Sequence, residues 1–342
     1  MVTAELAGTG GRTKVRPEDF EVEEIPAYQP LGQGDHLYLW IEKRDMGAEY
    51  FTRTIARRLG IAPGEVGTAG LKDRHAVTRQ MVSVPLAAED RLSMLDGDGI
   101  ALLKVGRHTN KLRPGHLHGN RFNVLIRETE PSAPQTIEPV IERLKRQGLP
   151  NYYGSQRFGR GDETAKLGMA LLQESPEVKK RLNPFMRKLA LSAAQSKLFN
   201  LYLSRRMADG LLARVLEGDV MSKRPFGGLF LALDVSREQE RFDCRETVHT
   251  GPIFGRKTFA AAALAAAREA EVLSESGLDT RSFARFGKLL QGTRRHNLVY
   301  VDDLLANVEN EGIRLTFSLP VGSYATVLLR EVMKTAKLDS ME

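Results

Sequence analysis

One carboxylate in the sequence stands among basic side chains, in the segment GLKDRHAVTRQ at residues 70–80. Asp73 is the carboxylate, and the positions around it are basic or near-basic: Lys72, Arg74, His75 and Arg79. Nearby positive charge favours the ionised form of a carboxyl group, and an ionised carboxylate can act as a general base or as a nucleophile. A surface turn whose charges neutralise one another is the alternative, and these eleven residues leave both interpretations open.

The distribution of charge favours a polyanionic partner. The chain has 50 Lys and Arg against 43 Asp and Glu, a net charge of +7 over 342 residues. Three segments are rich in basic residues and poor or lacking in acidic ones, at residues 100–127, 177–214 and 281–296. Such segments are typical of a surface that follows a phosphate backbone, although each could also be an ordinary solvated face.

Several protein classes are excluded by composition. The single cysteine, Cys244, cannot form an internal disulfide, and no cysteine cluster is present to hold a structural zinc ion. The first residues, MVTAELAGTGGR, lack an apolar stretch of signal-peptide length, and no apolar run approaches the roughly 18 residues of a membrane span. We therefore expect a cytoplasmic protein that does not enter a membrane.

The hydrophobic patterns predict an α+β fold. Strand patterns, with alternating or continuous apolar residues, occur at residues 36–41, 80–84, 100–105, 122–126 and 313–319. Helical patterns occur at residues 48–59, 136–147, 162–173, 185–212 and 259–273, and Ser323 is a candidate N-cap for a helix over 324–334. Helical signals dominate the middle, so we predict a core at residues 1–147, a mainly helical insertion at 148–299 and a return segment at 300–342.

Five separated motifs resemble one known family. They are RPEDFEVEE, GLKDRHAVTRQ, HGNRFNVLIR, NYYGSQRFG and LPVGSYATVLLRE, at residues 16–24, 70–80, 118–127, 151–159 and 319–331. In type and order they resemble the boxes of the TruD family of tRNA pseudouridine synthases, with Tyr153 where the family commonly has Phe. The motifs span nearly the whole chain, which makes the resemblance far more specific than one short motif.

The resemblance implies both a fold and an activity. The fold would be the pseudouridine-synthase catalytic core in permuted order, a mixed or antiparallel sheet with helices, interrupted by an inserted TRUD domain. The activity would be isomerisation of uridine to pseudouridine at position 13 of tRNA, with a cleft between the two units holding the RNA. The family needs no metal and no organic cofactor, and the resemblance implies no obligate protein partner.

The resemblance also implies roles for individual residues. Asp73 matches the catalytic aspartate, which could abstract a ribose proton or add covalently to sugar or base. A target uridine flipped out of folded RNA needs an aromatic face, and three residues resemble the family's base-pocket aromatics: Phe20, Phe122 and Tyr324. Packing in the core is the alternative for each of these rings.

Two polar residues complete the predicted substrate site. Asn120 can donate and accept hydrogen bonds, so it can bind a uracil or ribose edge; a simple Gly-Asn turn is the alternative. Lys14 resembles a basic residue that pairs with the catalytic aspartate or with a phosphate. The NYYGSQRFG motif could line the cleft or act as a hinge whose aromatic side chains pack the two units together.

Two other functions remain open at this stage. A binding module or RNA chaperone could keep the basic cleft and lack chemistry, although the intact GLKDRHAVTRQ segment argues against it. An RNA N-glycosidase or nuclease could also use Asp73, in which case the mass of the RNA changes, whereas isomerisation leaves it unchanged.

Overall fold

The computed structural model describes residues 1–175, 182–225 and 227–335. The helices are α1 Ala48–Leu59, α2 Ala133–Gln147, α3 Glu163–Leu172, α4 Pro184–Ala208, α5 Val235–Asp243, α6 Ala263–Glu275, α7 Arg281–Ala284 and α8 Ala325–Met333. The strands are β1 Gly10–Arg12, β2 Phe20–Pro26, β3 His36–Arg44, β4 Gly67–Thr68, β5 Val77–Pro85, β6 Ile100–His108, β7 Leu117–Thr129, β8 Leu149–Pro150, β9 Val220–Lys223, β10 Leu229–Leu231, β11 Thr247–Ile253, β12 Thr293–His296, β13 Leu298–Val299, β14 Leu305–Glu309 and β15 Gly312–Pro320.

The larger sheet joins the two ends of the chain. Within the described residues it has nine strands in the order β14-β15-β7-β2-β5-β3-β6, with β1 added to β7 and β4 to β5. The β2–β5 pair is parallel and the other pairs are antiparallel, so the sheet is mixed as predicted. All nine strands lie within residues 10–129 and 305–320, so the return segment completes a sheet that the first third begins.

Helices cover this sheet in two apolar clusters. Alternate residues of a strand share a face, so Phe20 and Val22 of β2 point toward the same core as Phe122 and Val124 of β7. This cluster is closed by buried residues of α2 and α8. A second cluster packs Leu37, Leu39 and Ile41 of β3 against buried side chains of α1.

The middle of the chain forms a separate set of elements. Buried side chains of α3, α4, α6 and α7 form one apolar cluster, and β10-β9-β11-β12 form a four-stranded sheet within the described residues. The short strands β8 and β13 pair with each other, which brings residue 149 beside residue 299. This pairing supports the insertion limits that we propose, residues 148–299 between core segments 1–147 and 300–342. The sequence patterns did not identify the four strands.

Element boundaries differ from the predicted ones at several helices. Gly60 ends α1 in the left-handed conformation with φ +60°, as expected of a C-cap glycine. The predicted helix at 136 begins at Ala133, and the one at 259 begins at Ala263. Ser323 is not the N-cap of α8: Tyr324 holds that position, and the Ser323 hydroxyl donates to Asn151 Oδ1 at 2.9 Å instead. In the described part of the chain, none of the helices has the length and hydropathy to span a membrane.

Candidate active site

Asp73 lies at the surface, in the loop between β4 and β5. Its side chain is 40% exposed, and Lys14 Nζ lies 3.5 Å from Asp73 Oδ1. Lys14 has a left-handed backbone conformation with φ +58°, which few non-glycine residues adopt and which is common at functional sites. The same ammonium lies 4.4 Å from the centre of the Phe20 ring. Lys14 therefore links the Asp73 carboxylate of the second motif to Phe20 of the first.

The basic residues next to Asp73 in sequence mostly bind other carboxylates. Lys72 Nζ donates to Glu24 Oε2 at 2.7 Å in a buried ion pair. His75 pairs with Asp45 at 2.8 Å, while Arg79 binds Glu42 and, more weakly, Glu21 on the far face of the sheet. The expectation that the basic residues next to Asp73 in sequence would surround its carboxylate is therefore corrected. Lys14, from a different segment, contacts the carboxylate instead.

Strand register places several site residues in one row across the sheet. Lys43 is opposite Thr78, Val22 pairs with both Thr78 and Phe122, and Phe122 pairs with Phe317. Paired residues point to the same face, so these five side chains share the face on which α1, α2 and α8 pack. Asn120 lies two residues before Phe122 and shares this face with its own partners Glu24 and Leu319.

Phe20 and Phe122 are buried in the core cluster. They are 2% and 6% exposed, and their ring centroids are 6.1 Å apart in an edge-to-face arrangement. Phe122 also stacks on Phe317 with centroids 5.1 Å apart. The core-packing alternative describes both rings in this structure, while base stacking by either ring stays a prediction.

Asn120 lies within β7 rather than in a turn. The preceding Gly119 pairs with Pro320, and a Cβ atom at Gly119 would lie 2.2 Å from the Leu319 carbonyl oxygen, so only glycine fits there. The alternative of a Gly-Asn turn is therefore wrong. Residues 119 and 120 pair with β15 as part of a strand, and glycine is needed at 119 because β15 approaches so closely. Asn120 Oδ1 is buried and has no hydrogen-bond partner within the described residues. A buried acceptor without a donor is costly and is a suitable ligand for a donor on a substrate.

Tyr324 is held by the NYYGSQRFG segment. Its ring lies 5.9 Å from that of Tyr153, edge to face, and a Cβ atom at Gly154 would lie 3.0 Å from it. Arg295 of β12 lies 4.0 Å from the Tyr153 ring centre and donates to Asn151 Oδ1 at 2.7 Å and to the Gly322 carbonyl at 2.8 Å. These contacts join the middle elements to the loop before α8 and favour the hinge interpretation of the motif.

Four further buried residues lie in or next to this site, and the sequence patterns did not reveal them. Lys43 is fully buried, Glu24 is 2% exposed, and Thr78 Oγ1 and Gln80 Oε1 are buried without a hydrogen-bond partner in the described ranges. A signal was available for the two charged residues. Lys43 continues the apolar positions 37, 39 and 41 of β3, and Glu24 continues positions 20 and 22 of β2. A charged residue at a strand position that faces the core is rare unless it is paired.

The basic segments are partly structural. Arg206 is fully buried against Asp219 and Arg294 is buried against Glu269, so neither can follow a phosphate backbone. Lys179, Lys180 and Arg181 lie outside the described residues. Basic side chains that do face solvent include Lys104, Arg113, Arg121, Arg187, Lys188 and Arg281. The expected phosphate-binding surface is thus limited to the members of the three segments that face solvent.

Two features of the surroundings bear on ligands. A cavity of about 390 Å³ lies between α4 and α8, with Tyr153, Lys197 and Arg330 in its wall. Asp73 is not among its lining residues, so the carboxylate opens to solvent rather than into this cavity. Over residues 1–175, 182–225 and 227–335, no group of three or more His, Cys, Asp or Glu side chains could hold a metal ion.

Comparison with known proteins identifies the family. The family model described as tRNA pseudouridine synthase D (TruD) matches residues 1–179 and 177–332. The chain belongs to the TruD family of tRNA pseudouridine synthases. The resemblance that the five motifs indicated is therefore confirmed, and it extends through the middle elements as well as the motifs.

Individual members of the TruD family are similar over almost their whole length. A tRNA pseudouridine synthase D of Anaeromyxobacter sp. (strain Fw109-5) is 44% identical over 337 residues, covering 98% of this chain and 95% of the relative. One of Thermus thermophilus is 43% identical over 343 residues, covering 100% and 94%. The crystal structure of a putative TruD of Methanosarcina mazei superposes with a TM-score of 0.81 at 24% identity, covering 99% and 97%. That superposition confirms the predicted α+β fold class.

Proposed function

We propose that this protein isomerises uridine to pseudouridine in tRNA, at position 13, with Asp73 as the catalytic carboxylate. The observation that carries the proposal is the contact between Lys14 and Asp73, which brings the segment before the first motif to a partly exposed carboxylate of the second. Membership of the TruD family supports the reaction and the substrate class. The assignment of position 13 rests on the family resemblance.

The reaction demands little beyond such a carboxylate and a shaped site. The N1–C1′ bond breaks, the base turns, and C5 bonds to C1′; the C5 proton leaves and N1 gains a proton, so the mass is unchanged. Asp73 either removes a ribose proton or adds covalently to the sugar or the base, and each of these roles needs an ionised oxygen within reach of the nucleotide. Lys14 holds a positive charge at the carboxylate in either case.

Recognition of the uridine would fall to the aromatic and polar residues that the motifs supply. A uridine in folded RNA must leave its stack before a carboxylate can reach its sugar. We propose that Tyr324, Phe20 and Phe122 contact the extruded base or shape its pocket. The buried Asn120 Oδ1 is a hydrogen-bond acceptor, and uracil offers a donor at N3. Exposed basic side chains of the three basic segments, at residues 100–127, 177–214 and 281–296, would bind the tRNA backbone, and their contribution should fall as salt rises.

The wider setting follows from the same proposal. A tRNA-modifying enzyme with one cysteine fits a reducing, cytoplasmic compartment. The substrate is the only partner that the proposal requires. No cofactor enters the reaction as written, because no electrons are gained or lost.

Mapping of pseudouridine in tRNA tests the proposal. Carbodiimide modification followed by primer extension should give a stop at position 13 of tRNA from cells that contain the protein, and none when its gene is deleted. Purified protein should restore the stop on unmodified tRNA. Tight tRNA binding without the stop would instead indicate a binding module, and a change in RNA mass would indicate an N-glycosidase or a nuclease.

A further inference from the structure

Lys43 of β3 makes two hydrogen bonds beneath the Asp73 loop. Its side chain is fully buried, and Nζ donates to the Met46 carbonyl at 2.5 Å and to the Asp73 carbonyl at 2.8 Å. The first bond fixes the ammonium in the turn between β3 and α1. The second bond holds the backbone of Asp73 itself, so the same residue that offers the carboxylate to solvent is attached to the sheet from below.

The turn after β3 holds the loop at two more points. Asp45 donates its backbone N–H to the Ala76 carbonyl at 3.0 Å, and its carboxylate pairs with His75 at 2.8 Å. Asp45 has φ +47°, a left-handed conformation that directs the chain into this turn. The pair of Asp45 with His75 is nearer the surface than the Lys43 bond, because these side chains are 49% and 60% exposed.

We propose that Lys43 is a positioning residue for catalysis, holding the Asp73 backbone so that the carboxylate stays in register with the target nucleotide. The proposal deepens the function given above and rests on it for the reaction that Asp73 performs. Lys43 does not touch the substrate in this account. Its effect passes through the Asp73 carbonyl, and a displacement of about 1 Å at a reacting group lowers a rate by about 100-fold.

The charged surroundings of Lys43 make the bond sensitive to pH. Burial lowers the pKa of Lys43 to about 8, opposed by Asp73 and Asp45 and reinforced by Lys72. Lys43 also has uncharged neighbours: the Phe51 ring of α1, and Thr78 and Ile100, which are opposite Lys43 on β5 and β6. Loss of the proton leaves a neutral amine, and hydrogen bonds from neutral donors are roughly half as strong as charge-assisted ones.

The test compares Lys43→Met and Lys43→Arg with the wild-type chain, with Arg53→Met as the matched control. Arg53 lies on α1 with a side chain 70% exposed, so its replacement removes one charge without touching the loop. Tritium release from tRNA gives kcat and KM, and hydrogen–deuterium exchange reports on residues 70–76. For Lys43→Met we expect kcat about 100-fold lower, KM within about threefold, and exchange at 70–76 at least about tenfold faster. Lys43→Arg should recover part of the lost kcat, and Arg53→Met should match the wild type.

Each other outcome decides the question. A folded Lys43→Met protein with kcat within about twofold, or with reduced kcat and unchanged exchange, overturns the proposal. If Lys43→Met does not fold, the wild-type chain is compared at pH 7 and pH 9.5 after correction for intrinsic exchange. Faster exchange at 70–76, but not in α2, at the higher pH supports the proposal that Lys43 holds the Asp73 backbone. Equal exchange at the two pH values overturns it. If the wild type forms no pseudouridine, the proposed function fails and the exchange results still decide whether Lys43 holds the loop.

Discussion

The Lys14 ammonium lies 3.5 Å from the Asp73 carboxylate although 59 positions separate the two residues in sequence. Lys14 comes from the segment before β2, and Asp73 from the loop before β5. The parallel pairing of β2 with β5 brings the two segments to the same end of the sheet. A contact built in this way depends on the completed fold, and it gives the partly exposed carboxylate one defined cationic neighbour.

Removal of the Lys14 charge should affect catalysis much more than stability. We expect Lys14→Met to lower kcat by about 10- to 100-fold, because a charge beside reacting groups gains strength once RNA excludes water from the site. The free energy of unfolding should change by less than about 1 kcal/mol, since the pair is partly solvated. Arg12→Met is the control, because Arg12 is only two residues before Lys14 and forms an exposed pair with Glu128. Equal loss of activity in both variants would contradict this role.

The buried pair of Lys72 and Glu24 should be important for stability. Both side chains are 3% exposed or less and their charged atoms are 2.7 Å apart. Lys72→Met leaves the Glu24 carboxylate buried and unpaired, which should cost about 3–5 kcal/mol in denaturant unfolding followed by circular dichroism. The double variant Lys72→Met with Glu24→Gln should recover much of this loss. A single variant within about 1 kcal/mol of the wild type would show that water reaches the pair.

Stability of the middle elements should fall with acid because of His249. Burial lowers the pKa of His249 to about 3, and nearby Arg206 acts in the same direction. Between about pH 6.5 and pH 3, therefore, His249 is protonated in the unfolded chain, where a histidine pKa is near 6.5, and neutral in the folded chain. The His249 contribution is complete above pH 6.5, and we expect a loss of about 2 kcal/mol between pH 7 and pH 5.

His249→Gln isolates this contribution from those of the carboxylates. His249 Nε2 donates to the Leu212 carbonyl and Nδ1 accepts from Asn297, and a glutamine amide can offer both kinds of group. The difference in unfolding free energy between wild type and variant should shrink as the pH falls from 7 to 5. A constant difference over that range would mean that His249 titrates normally in the folded protein.

Arg295 should affect the reaction through Tyr324. Its guanidinium bonds to Asn151 and to the Gly322 carbonyl, two residues before Tyr324, and lies over the Tyr153 ring. Lysine cannot form this fork, so we expect Arg295→Lys to lower kcat/KM for tRNA by about tenfold. Arg314→Lys provides the control. Arg314 lies on strand β15 and also donates to an asparagine side chain, Asn123 Oδ1 of β7, at 3.1 Å. Equal kcat/KM for the two variants would remove the link to Tyr324.

Local patterns predicted much of the larger sheet and little of the middle one. Strict alternation at residues 313–319 identified β15, and the aromatic and branched run at 36–41 identified β3, because each presents one apolar face. Strands β9, β10 and β12 have only three or four residues, too few for a period to emerge. β11 is buried along its whole length yet contains Thr247, His249 and Thr250, so its sequence lacks an apolar signature.

The candidate site was predicted by residue, but its contacts were not, apart from the pairing of Lys14 with Asp73, which was one of the two roles that the resemblance implied for Lys14. The motifs located Asp73, Asn120, Tyr324 and the two phenylalanines, yet the partner of each depends on strand order that no local spacing contains. Lys72 illustrates the difficulty, since it adjoins Asp73 in sequence and bonds to Glu24, 48 residues away. Ser323 shows the same effect. It is a residue type favoured at N-caps, yet its hydroxyl donates to Asn151 Oδ1, 172 residues earlier.

The most direct measurement concerns Asp73 itself. Purified wild-type chain, Asp73→Asn and the exposed-carboxylate control Asp90→Asn would be incubated with unmodified tRNA, and pseudouridine at position 13 mapped by carbodiimide modification. We predict complete conversion by the wild type and the control. Asp73→Asn should give no detectable product while binding tRNA within about threefold of the wild type, because the amide keeps the shape but cannot act as base or nucleophile. Pseudouridine formation by Asp73→Asn at a rate near that of the wild type would contradict the account.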